Sequence, residues 1–310
     1  MTTAYISHPL FLKHRGPPGH PECAERLEAV THQLKADGVF DMLEHHTAPR
    51  AALADIERVH TQRLISELDH TAPTSGLSSI DPDTYMNAHS LEAAWHAAGA
   101  AVLATRLVSE RSVRNAFCAV RPPGHHAERD RAMGFCLLNS VAVAAAYALE
   151  DIGLDRVAIL DFDVHHGNGT ENICSPNERV LLCSTFQHPF YPYDGAETEQ
   201  SNIVNVPLPS GTGSEAFRDA VLREWIPALN DFKPEMIFIS AGFDAHAEDR
   251  LANFSLCDDD YQWVTQTIMD VADEHADGEI VSCLEGGYAL DALGRCVSLH
   301  VRTLRGVDGG

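Results

Sequence analysis

At 310 residues and 45% hydrophobic content the chain can bury the core of one large α/β domain, and one domain over residues 1–310 is expected. Its 45 acidic against 22 basic residues give a formal charge of −23, which disfavours nucleic acid and anionic membrane partners and favours a cationic ligand, although such a charge also serves solubility alone. The opening MTTAYISHPLFLKHRG has no apolar leader core and no later run approaches the roughly 20 residues of a bilayer span, so a cytoplasmic protein is expected.

In chain order, the polar stretch 71–80 reads as a loop, and Asp81-Pro82-Asp83-Thr84 as the start of a helix over 88–110. A strand at 116–120 is followed by a helix at 137–150, strands at 157–162 and 180–186, and a helix at 214–230. A strand at 236–240, a helix at 258–275, a strand at 279–284 and a helix at 291–305 complete the pattern. Several strands are too uniformly apolar to face water on one side, which suits a parallel sheet buried on both faces, with ligands at the carboxyl ends of its strands. The eight cysteines are scattered without a CxxC pair and read as reduced thiols.

Chemistry is therefore expected just after each strand. After 116–120 a rigid Arg121-Pro122-Pro123-Gly124 turn delivers His125 and His126, which read as acid–base groups or as ligands. If the next strand runs on through Asp161-Phe162-Asp163-Val164-His165, its alternation puts Asp161, Asp163 and His165 on one face, before a sharp exit at Gly167-Asn168-Gly169. Carboxylates and an imidazole buried there are costly unless they hold a cation. Asp244, beyond the 236–240 strand, either completes a three-ligand site with Asp163 and His165 or caps a helix. Tyr288, beyond Glu285-Gly286-Gly287, reads as a donor to a developing oxyanion or as a packed aromatic. Four polar stations at four strand ends describe a hydrolase site.

The segments HPECAERL (20–27), RPPGHH (121–126), GFCLLN (134–139), DFDVHHGNGT (161–170), SAGFDAH (240–246) and EGGY (285–288) resemble, in that order, the motifs of the histone deacetylase family. Asn168 places the resemblance nearer class II and its bacterial relatives. It implies the arginase–deacetylase fold, a central parallel sheet of about eight strands with helices on both faces. It also implies a zinc-dependent deacetylase acting on an acetylated cationic amine, acetyl-lysine above all. By that resemblance Asp163, His165 and Asp244 bind zinc; His125 and His126 flank the attacking water, backed by Asp161 and Asn168; and Tyr288 stabilises the oxyanion.

Phe135 and Tyr191 resemble the aromatic pair that sandwiches the substrate stem, and the Gly134 carbonyl the acceptor of the scissile N–H. Tyr191 departs from the commoner phenylalanine. Asp161 and Ser184, with the backbone around Asp163, His165 and Thr185, resemble a structural potassium site. Asp83 resembles a rim acid that grips the substrate backbone, although a helix cap is the simpler reading. Leu251 stands where acetylpolyamine-specific relatives carry glutamate, which points to acetyl-lysine over a polyamine. Tyr288 and the absence of further bridging aspartates count against an arginase reaction, and the complete catalytic set against a silent acetyl-lysine reader. Homo-oligomers are expected by analogy with bacterial relatives.

Overall fold

Alternating apolar runs and amphipathic segments build one eight-stranded sheet in the computed structural model, which describes residues 2–198 and 200–306. In chain order the strands are β1 (Thr3–Ser7), β2 (Glu44–Thr47), a separate hairpin of β3 (Ser78–Ser79) and β4 (Tyr85–Met86), then β5 (Asn115–Cys118), β6 (Val157–Asp161), β7 (Val180–Gln187), β8 (Ile203–Leu208), β9 (Met236–Ala241) and β10 (Ile280–Leu284). The large sheet runs β2-β1-β5-β10-β9-β6-β7-β8, and every neighbouring pair is parallel. Strands β5, β6, β7, β9 and β10 are buried at every residue, as their lack of polar alternation requires.

Helices cover the sheet in two groups. Ser90–Ser109 packs on Ser140–Tyr147, while Glu25–Ala36, Leu290–Leu304 and Asp258–His275 lie side by side. The buried stripe Ala93, Ala97, Ala100, Ala101 and Ala104 keeps the first group close to the strands, and a Cβ at Gly99 would fall 2.0 Å from the Pro49 carbonyl oxygen. Among the described residues no helix is long and apolar enough to cross a membrane.

Three expectations change. Asp81-Pro82-Asp83-Thr84 belongs to the β3–β4 connection, where Asp81 Oδ1 accepts the N–H groups of Asp83 (3.0 Å) and Thr84 (2.6 Å); the long helix starts only at Ser90, so Asp83 caps nothing. Two helices expected to be continuous each change to a wider π turn, at Ala148–Ile152 and Val221–Trp225. Strand β6 stops at Asp161, because Asp161 Oδ1 takes the Asp163 N–H (3.0 Å) and Asp163 Oδ1 the His165 N–H (2.9 Å). Asp161 is thus the last residue of the strand, and Asp163 and His165 are presented beyond it by consecutive side-chain-closed turns rather than by strand alternation.

Candidate active site

The carboxyl ends of β5, β6, β9 and β10 are neighbours in the sheet, which brings all four polar stations to one place. At its floor, one ligand atom each from Asp163, His165 and Asp244 lie within 4.8 Å of one another. His165 Nδ1 stands 3.0 Å from Asp163 Oδ1 and 3.2 Å from Asp244 Oδ2, its ring stacked on Phe190. Asp244 Oδ1 accepts the Val164 N–H at 2.9 Å, so this residue ties two strand ends together and is no helix cap.

The remaining oxygen, Asp244 Oδ2, is buried and accepts no well-formed hydrogen bond, His165 Nδ1 standing 3.2 Å away. Such an atom is expensive unless a cation takes it. Burial, reinforced by the Asp163 charge, pushes Asp244 up to about 6. Burial opposes charge on His165 too, but the two carboxylates overcome it and lift its pKa to about 10. Two carboxylates and an imidazole on a strained electrostatic footing, with an orphaned oxygen aimed between them, fit a zinc ion.

The space is guarded by glycine. A Cβ on Gly286 would stand 2.1 Å from Asp244 Oδ2 and 2.5 Å from Asp163 Oδ2, and one on Gly242 would stand 2.1 Å from Asp163 Oδ2. Gly286→Ala is therefore expected to displace both carboxylates and abolish metal-dependent activity, whereas Gly213→Ala, whose Cβ meets only Ser255 Oγ at 3.6 Å, should retain it; parallel zinc analysis and activity assays check this.

The two histidines of the β5 station are held differently. His125 Nδ1 lies 2.9 Å from Asp161 Oδ2; burial disfavours its charge, but Asp163 and Asp161 hold its pKa well above the ordinary histidine value. His126 Nδ1 lies 2.8 Å from Asn168 Oδ1. The amide cannot be the other way round, because Asn168 Nδ2 donates to Glu128 Oε1 at 2.7 Å. His126 thus carries its proton on Nδ1 and leaves Nε2 bare, while burial and the neighbouring His125 and His165 hold its pKa well below the ordinary value.

A cavity of about 220 Å³ opens above the ligands, lined by Asp83, Gly134, Phe135, Tyr191, Leu251 and Tyr288 together with His125, His126, His165 and Phe190. Tyr191 stands edge-on to His126, and Phe135 edge-on to Tyr288. Thr84 Oγ1 accepts the Phe135 N–H at 3.0 Å, which pins the Asp83 loop to the aromatic wall. Asp83 is pushed up to about 6 by partial burial and by Asp81 beside it. Tyr288 is only partly buried, and its ring lies over the Arg26 guanidinium at 5.0 Å; it is no core aromatic.

Ser184 lies on β7 directly opposite Asp161 on β6, and its buried hydroxyl oxygen has no partner. With Thr185 next along the strand, this is an oxygen-rich spot suited to a hard monovalent cation. A second cluster, His246, Asp258 and Cys296, also has donor atoms close together, but His246 Nδ1 already accepts the Glu248 N–H. Its Nε2 must then carry the proton and donate to Asp258 Oδ1 (2.9 Å), while Arg295 Nε occupies Asp258 Oδ2 (2.8 Å). That cluster is a closed hydrogen-bond network.

Sequence reasoning missed the supports beneath the site. Glu285 Oε2 accepts the N–H groups of Gly124 (2.7 Å) and His125 (3.1 Å), joining the β10 station to the histidine turn. Arg26, fully buried, donates through Nε to the Gly287 carbonyl (2.7 Å) and pairs with Glu22, which also receives Arg121 Nη2 (2.7 Å) and faces His14 Nε2 (3.1 Å). The Glu22 and Arg26 spacing of i, i+4 was visible in the sequence; their partners Arg121 and Gly287, 99 and 261 residues away, were not.

A histone deacetylase domain matches residues 20–304. The chain is 37% identical over 302 residues to a probable deacetylase of Archaeoglobus fulgidus, covering 94% of this chain and 82% of that protein. It is 36% identical over 296 residues to a histone deacetylase-like amidohydrolase of Pseudomonas aeruginosa, covering 93% and 78%. Among solved structures, the crystal structure of the HDA15 HD domain is similar with a TM-score of 0.91 and 33% identity, over 99% of this chain and 89% of that one. On these matches, and on the order of its strand-end motifs, the chain belongs to the histone deacetylase family.

Proposed function

We propose that the chain is a zinc-dependent deacetylase that hydrolyses the acetamide of acetyl-lysine. The observation that carries this reading is the convergence of Asp163, His165 and Asp244 on one point beneath an aromatic-walled cavity, with Asp244 Oδ2 lacking any other partner. Zinc held by these residues would polarise the acetamide carbonyl and make water acidic enough to attack near neutral pH.

The chain's own groups do the rest. His126, bare at Nε2, takes the proton of the attacking water and returns it to the departing amine. His125, kept cationic by Asp161, stabilises negative charge without exchanging the proton. Burial drives the Tyr288 phenol well above its ordinary pKa, so it keeps its proton and donates to the oxyanion. Phe135 and Tyr191 exclude water from the lysine methylenes, the Gly134 carbonyl accepts the scissile N–H, and Asp83 at the rim engages the substrate backbone. Potassium at Asp161 and Ser184, with the backbone of Asp163, His165 and Thr185, would brace the β6–β7 end structurally. The acidic surface favours a cationic substrate, and neutral Leu251 at the rim offers no charge to pair with a second amine.

The test is kcat/KM, with zinc and potassium present, on an acetyl-lysine peptide against N8-acetylspermidine and acetylputrescine, with Tyr288→Phe as control. The peptide is expected to be preferred by more than about tenfold, or 1.4 kcal/mol. Preference for the polyamines would transfer the same chemistry to a small-molecule amidohydrolase, and turnover of none would sink the deacetylase reading.

A further inference from the structure

We propose that Asp249 is a positioning residue for Tyr288, a buried carboxylate clip that joins the rim segment bearing Leu251 to the backbone bearing the tyrosine. The inference rests on the amide-hydrolase reading, in which Tyr288 donates to the oxyanion.

Asp249 is 5% exposed, and among the described residues no cationic side chain forms an ion pair with it. Its charge is met instead by backbone. Oδ2 accepts the N–H groups of Tyr288 (2.6 Å) and Ala289 (3.1 Å), and Oδ1 accepts the N–H of Leu251 (3.0 Å). Both oxygens are therefore committed, one to each side of the cavity mouth.

The tyrosine needs such a tie. It follows Gly286 and Gly287, the latter at φ +124°, and precedes the helix Leu290–Leu304, so neither residue on its N-terminal side has a side chain to restrict the backbone. Arg26 fixes the Gly287 carbonyl from below, and Asp249 fixes the next N–H from above; together they set the peptide plane from which the Tyr288 side chain departs. An oxyanion donor works only within tenths of an ångström of its target, so that plane matters to rate more than to binding.

The clip is itself held firmly. Arg295 Nη2 donates to Glu248 Oε1 (2.6 Å) and Arg295 Nε to Asp258 Oδ2 (2.8 Å), while His246 Nε2 donates to Asp258 Oδ1 (2.9 Å). The Asp249 N–H closes on the His246 carbonyl at 2.9 Å. The closed network around Asp258 thus serves as the anchor from which Asp249 reaches the tyrosine.

The experiment compares Asp249→Asn and Asp249→Ala, each in wild-type and Tyr288→Phe backgrounds, in the full zinc-loaded chain on the acetyl-lysine peptide. Asparagine keeps the shape but accepts at one oxygen only. Expected in the wild-type background is a kcat lowered by more than about tenfold, with KM within about twofold and zinc content unchanged. In the Tyr288→Phe background the same substitution should change kcat by less than about twofold, because the hydroxyl it aims is gone. Losses that multiply across the two backgrounds, or a fall that follows zinc content, would overturn the proposal. If Asp249→Ala melts below the assay temperature, Asp249→Asn carries the comparison. Wild-type activity with an impaired Tyr288→Phe but an unimpaired Asp249→Asn would defeat the clip alone; a wild type inactive on the peptide and on both acetylpolyamines would defeat the amide-hydrolase reading and the clip with it.

Discussion

Asp244→Asn is expected to eliminate zinc-dependent turnover, by more than about 10³-fold, while making the metal-free protein more stable. The opposite signs come from one cause. Burial and Asp163 raise the Asp244 pKa to about 6, above its ordinary value of 3.8, so the folded chain binds more protons than the unfolded chain between those limits. The stabilising effect of the proton is complete below about 3.8 and is lost as pH rises through about 6, leaving a charge penalty at neutral pH that a cation would cancel. Asparagine keeps the bond from the Val164 N–H and removes the penalty. Melting curves at pH 7 with and without zinc check this. The wild type should rise on zinc addition by mass action, and the variant should start higher and not respond. A variant that still gains stability and activity from zinc would show that Asp244 is not a ligand.

His126→Ala should cost about 10² to 10⁴ in kcat, the usual range for a positioned acid–base group. His126 is held well below the ordinary histidine pKa, so the base is ready at neutral pH and its own protonation shows as an acid limb, as pH falls and Nε2 takes a proton. His125→Ala should lose less and keep that acid limb. Asn168→Asp sharpens the test: a carboxylate on Nδ1 favours imidazolium, so the acid limb should move to higher pH by about 1 to 3 units. Two histidine variants with the same pH–rate profile, or an Asn168→Asp profile that does not shift, would refute the division of labour.

The sequence foretold the four stations better than the geometry that presents them. β5, β6, β7, β9 and β10 are apolar without alternation and were legible because burial on both faces leaves no other pattern. β2 is Glu-His-His-Thr and β8 carries Pro207, both at sheet edges, where a missing donor and polar side chains are tolerated and strand signals fade. Asp161, Asp163 and His165 were grouped by a period of two, yet they meet because each aspartate closes a turn on the second N–H beyond it. Glu128, which fixes the Asn168 amide, and Asp249, which grips Tyr288, act across 40 and 39 residues, and nothing local in the sequence marks them.

The strand order makes one pairing decisive for folding. β10, the last strand of the sheet in chain order, inserts between β5 and β9 near the middle of the sheet. Until it does, the His125 turn on β5 and the Asp163–Asp244 ends of β6 and β9 belong to two half-sheets with an open, apolar seam between them. A chain in which β10 has not yet paired presents the unpaired edges of β5 and β9, and closing them depends on long-range pairing that is intrinsically slow. The four polar stations come together only when β10, which leads into Tyr288, closes the seam.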